Sequence, residues 1–119
     1  MRALHAHWVW VALVATGLVG LWGLGAAILR RPPGPAFKVG VGAAVAAMLL
    51  QIAFGFAVYA QGLRPAGEYH LFYGYLVLFS FAFAYVFRAA MGRRPALTWG
   101  ILLVFSMGLA IRAWMTVAG

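Results

Sequence analysis

The chain has no cysteine and no aspartate, and Glu68 is the only carboxylate in its 119 residues. Without thiols there are no disulfides, thiolate metal sites, iron–sulfur clusters or covalently attached c-type heme. A single acid excludes hydrolysis by a carboxylate pair and a Ser-His-Asp triad within one chain. Charge itself is scarce: charged residues make up 8%, where a soluble domain carries about 25%. What fills the chain instead is apolar, 66% hydrophobic with a mean hydropathy of +0.98, the composition of an integral membrane protein. Nine Lys and Arg give a net charge of +8, which in a soluble chain would suggest nucleic acid. Here the basic residues sit between apolar runs and read as topology signals, so the expected partner is the lipid bilayer and not nucleic acid.

Apolar runs near the ~20 residues that a bilayer requires fall at about 7–29, 37–60, 70–91 and 96–117. Residues 1–119 therefore read as a single all-α transmembrane domain of four helices. Arg30-Arg31-Pro32-Pro33-Gly34-Pro35, the stretch from Gln61 to Gly67, and Gly92-Arg93-Arg94-Pro95 break the runs. Connections this short predict an up-down-up-down bundle. The first run exceeds the 7–15 apolar residues of a secretory signal and lacks a small-x-small cleavage site, so it reads as a mature helix. Arg30, Arg31, Lys38, Arg88, Arg93 and Arg94 fall on one side, and Arg2, Arg64 and Arg112 on the other. The positive-inside rule then puts both termini outside, in a cell inner (cytoplasmic) membrane. Trp8, Trp10, Trp99 and Trp114, near helix ends, read as interface anchors. Gly40, Ala44, Ala47, Gln51 and Gly55 form a narrow stripe, as do Thr16, Gly20, Gly23 and Ala27, and both read as helix-packing surfaces.

Converting position into depth at about 1.5 Å per residue places His7 and His70 level with each other near the outer surface, on helices running the same way. His5, two residues earlier, is expected to face elsewhere. Tyr59, Gln61, Arg112, Glu68 and Arg64 gather at the same end. Thr16, Ser80, Gln51 and Ser106 form a second layer near the middle, expected to serve interhelical hydrogen bonding.

Two imidazoles on facing helices at one depth are what a b-type heme needs, so His7 and His70 are the candidate axial, metal-binding ligands. Gly74, one turn from His70, would let a macrocycle lie against the helix. Arg112 and Arg64 would neutralise propionates. Trp10, Phe72, Tyr73 and Tyr75 would wall the pocket. One heme at one end would support electron transfer on the outer side, with a quinol or a larger membrane complex as partner, and no catalytic residue is assigned. Alternatively, His5, His7, Glu68 and His70 would bind Zn or Cu.

Leu21-Trp22-Gly23-Leu24, together with His70-Leu71-Phe72-Tyr73-Gly74 opening helix 3, resembles the pattern of small bacterial four-span membrane proteins. More distantly, the bundle is similar to cytochrome b561-type cores and to half of a heme A synthase, which implies histidine-ligated heme. Heme A synthase halves carry their histidines on helices two and four, whereas here they open helices one and three, so the resemblance implies heme binding and not heme A synthesis. A different reading is a small accessory subunit packed against a larger, respiratory membrane complex, supported by the small-residue stripes and by Phe79, Phe81, Phe83, Tyr85 and Phe87.

Overall fold

The computed structural model describes residues 2–62 and 69–118, which form helices and no strand. The helices are α1 (Arg2–Ile28), α2 (Pro35–Ala60), α3 (Tyr69–Val86), α4 (Arg88–Met91) and α5 (Pro95–Ala118). Four of them, α1, α2, α3 and α5, are long and apolar enough to cross a membrane. The long dimension of the molecule, 47 Å, matches a bilayer with its headgroups, about 40–45 Å thick.

Local chemistry sets the helix ends. α1 stops in a Schellman motif: Arg30 adopts a left-handed φ of 54°, Arg31 N–H donates to the Ala26 carbonyl and Arg30 N–H to that of Ala27. Gly34, at φ 83°, precedes α2, whose first residue is a proline that needs no N–H partner. Two boundaries differ from the sequence expectation. α1 begins at Arg2 and not near residue 7, and the third span ends at Val86, with Phe87 turning the chain into the short α4.

Each long helix buries a stripe at spacings of three and four. On α1 it is Val9, Ala12, Thr16, Gly20 and Gly23; on α2, Phe37, Val41, Ala44, Met48 and Gln51; on α3, Val77, Phe81 and Ala84. α5 contributes Ala96, Leu103, Ser106 and Ala110. The glycines of α1 permit the closest approach in the bundle, for a Cβ on Gly23 would sit 2.6 Å from the Ala96 carbonyl oxygen, and one on Gly100 would sit 2.8 Å from Leu24 N. The expected packing stripes on helices 1 and 2 thus meet α5 and α1 respectively.

Contacts between α1 and α2 run in opposite chain order, His5 with Gln51, Trp8 with Ala47 and Trp22 with Phe37. Those between α1 and α5 do too, from Gly17 with Met107 to Gly23 with Ala96. α5 also packs on α3, whereas α2 and α3 barely meet and α1 and α3 face each other diagonally across the bundle. The seam between α2 and α3 is therefore open.

Candidate functional site

At the end of the bundle where α1 and α3 begin, this seam widens into a cavity of about 560 Å³. It lies between His5 on α1 and His70 on α3, with Gln51, Gly55, Tyr75 and Trp114 among its walls. His5 reaches it because α2 has no side chain at Gly55, where a Cβ would lie 3.0 Å from the His5 ring carbon Cε1. α1 and α2 then clamp each other: His5 Nδ1 pairs with the Gln51 carbonyl at 3.2 Å, and the buried Gln51 Nε2 donates to the His5 carbonyl at 2.8 Å. Across the cavity, His70 Nδ1 pairs with the Ala113 carbonyl at 2.8 Å.

The two pairings fix the chemistry of both imidazoles. A carbonyl only accepts, so the proton of each ring is on Nδ1 and the neutral ring has its lone pair on Nε2. Among the described residues neither Nε2 has a partner. A backbone carbonyl holding Nδ1–H is also the usual outer support of a metal-bound histidine. The ring centroids are 5.9 Å apart with planes at 88°. The two rings thus meet edge to face across the cavity. Among the described residues no group of three or more His, Cys, Asp or Glu side chains is placed to hold a metal ion, so any centre here would draw its remaining ligands from elsewhere.

The other expected site residues fall variously. His7 is exposed and absent from the cavity wall, because two residues along a helix turn a side chain through about 200°. It is His5, expected to face away, that meets His70. Gly74 lines the cavity with open space beside it. Arg112 is exposed and off the wall; Arg64 and Glu68 lie outside the described residues. Arg2 supplies the cation at the wall that the sequence reading missed. Of the expected aromatic walls only Tyr75 lines the cavity, and Trp10 stands edge-on to Trp114, which does.

The central polar layer behaves differently from expectation. Thr16, Ser80 and Ser106 donate to Ala12, Leu76 and Leu103 of their own helices at 2.8, 2.7 and 2.9 Å, since a short hydroxyl reaches the preceding turn more easily than a neighbouring helix. Gln51 alone of the four bonds across helices, and its Oε1 is buried without a partner. Trp8, half-buried, is more than an interface anchor: its Nε1 donates to the Ala47 carbonyl at 2.8 Å and ties α1 to α2.

The phase of α1 held the missed signal. Stepping back from Gly23 through Gly20, Thr16, Ala12 and Val9 by threes and fours arrives at His5 and not His7. No family model, curated protein or solved structure matches the chain.

Proposed function

We propose that the chain is a membrane b-type cytochrome that holds one heme near the outer face between His5 and His70. In this reading the helices run up-down-up-down through the cytoplasmic membrane with both termini outside, in keeping with the excess of Lys and Arg at the other end. One observation carries the proposal: two imidazoles on diagonally opposed helices, each with Nδ1–H held by a helix carbonyl and Nε2 without a partner among the described residues, border one cavity. Its volume lies within the roughly 300–1,000 Å³ of cofactor sites. Gly74 leaves the wall free of a side chain where a flat ring would press, and Arg2 offers a charge for a carboxylate. When bound, heme supplies one-electron exchange; the chain's residues orient the two nitrogens and exclude water. A single site at one end serves electron exchange on one side of the membrane, with a quinol or a larger complex as donor or acceptor.

The test is the oxidised and reduced absorption spectrum of the purified protein with a heme assay. One b-type heme per chain is expected, lost in His5→Ala and in His70→Ala and kept in His7→Ala. A colourless protein from heme-replete cells, or a spectrum indifferent to His5 and His70, overturns the assignment. The accessory-subunit reading would then lead, on the strength of α3, whose Phe72, Phe79 and Phe83 are all more than half exposed.

A further inference from the structure

The same open seam widens again at the opposite end of the bundle. There a groove of about 450 Å³ runs between α2 and α3, walled by Leu49, Leu78, Phe81 and Trp99 and ending at Tyr85 and Arg88. Its surface is almost wholly apolar, and among the described residues Arg88 is its one charged side chain. The guanidinium lies 4.4 Å over the Tyr85 ring, and Nη1 donates to the Tyr85 carbonyl at 2.7 Å. That anchoring uses one of several N–H groups, and the rest of the fork has no acceptor among the described residues. Among the described residues there is no carboxylate to neutralise it, since the one acidic side chain in the sequence is Glu68. Arg30, Arg31, Lys38, Arg93 and Arg94 crowd the same end.

We infer that this groove binds one anionic phospholipid, an acyl chain lying between α2 and α3 and the phosphodiester resting on Arg88. The apolar walls open to the hydrocarbon and match a fatty chain, and a fixed, unneutralised guanidinium at the groove's end matches a phosphate. A second copy of this chain is the poorer occupant, since it would bring the same concentration of cations to a face that already lacks any acid. The inference rests only on the helices spanning a membrane and is independent of the heme proposal.

Native mass spectrometry of the full-length protein in mild detergent tests it, with phosphatidylglycerol, phosphatidylcholine of the same chains, and inorganic phosphate as probes. The expected result is one tightly held phosphatidylglycerol. The apparent affinity falls about fivefold or more in Arg88→Gln, falls also in Ala82→Phe, which fills the groove and keeps the charge, and is unchanged in Arg93→Gln. Equal binding of the two lipids, competition by phosphate alone, or retention in both Arg88→Gln and Ala82→Phe overturns it. Circular dichroism of each variant confirms that lost binding is not lost fold.

Discussion

Replacing Gly23 with alanine adds one methyl group at the tightest point between α1 and α5. The new Cβ would lie 2.6 Å from the Ala96 carbonyl oxygen, 3.0 Å from Phe37 Cζ on α2 and 3.1 Å from Gly100 Cα, where ordinary contact begins at 3.4 Å. The two α5 neighbours are backbone and cannot swing aside as the Phe37 ring can, so α1 and α5 must separate by several tenths of an ångström. A gap of 0.5–1 Å forfeits about a quarter to a half of each dispersion contact, and overpacking of this kind costs about 1–3 kcal/mol. Alanine also favours helix over glycine by roughly 0.8–1 kcal/mol, which would mask part of the loss. Gly42→Ala cancels that gain, since a Cβ there meets nothing within 4 Å. The difference between the two variants should therefore be about 1–3 kcal/mol, read as a shift in reversible unfolding by sodium dodecyl sulfate in mixed micelles. Equal stability of Gly23→Ala and Gly42→Ala would refute the claim that backbone contact closes the α1–α5 interface.

At Gln51, exchange for methionine gives up the bond to the His5 carbonyl, worth about 0.6 kcal/mol in membranes, but removes the unpartnered Oε1. Stability within about 1 kcal/mol of wild type is expected, while Gln51→Glu should lose about 2.5–3.5 kcal/mol by placing a charge in the bundle; equal effects in the same unfolding assay would show that this site is not dry. Because the chain lacks cysteine, single introduced thiols report sidedness cleanly. Gln61→Cys should react with an impermeant maleimide on intact cells and Arg31→Cys only after permeabilisation, and the reverse pattern would invert the proposed orientation.

The spans were legible because lipid demands length and hydropathy, and the proline and arginine clusters mark where they stop. The gathering of histidines at one end was legible too, since depth follows from counting residues. Direction around the helix axis was harder. α1 is apolar on nearly all sides, with Leu18, Leu21 and Ile28 facing outward, so hydrophobicity gives no phase to separate His5 from His7. Small residues carry the phase instead, because only they allow backbones to touch. The hydroxyl layer misled for a related reason: matching depth brought Thr16, Ser80 and Ser106 level, yet each found its acceptor one turn back on its own helix. The break at Phe87 has no proline or glycine to announce it.

The most extensive interface joins α1 to α5, the two spanning helices farthest apart in sequence. Synthesis delivers them in the wrong order for early closure. The α1–α2 hairpin can dock as soon as both helices are in the membrane, yet the face bearing Gly17, Gly20 and Gly23 stays against lipid until α5 arrives. α3 has little to hold in the meantime, because its main neighbour is α5 and not α2. A chain cut short before Pro95 would accordingly be a hairpin beside an untethered helix, and both the wall at Trp114 and the Ala113 carbonyl that orients His70 would be missing. Of the four spans, the one made last is the one against which α1 and α3 both pack.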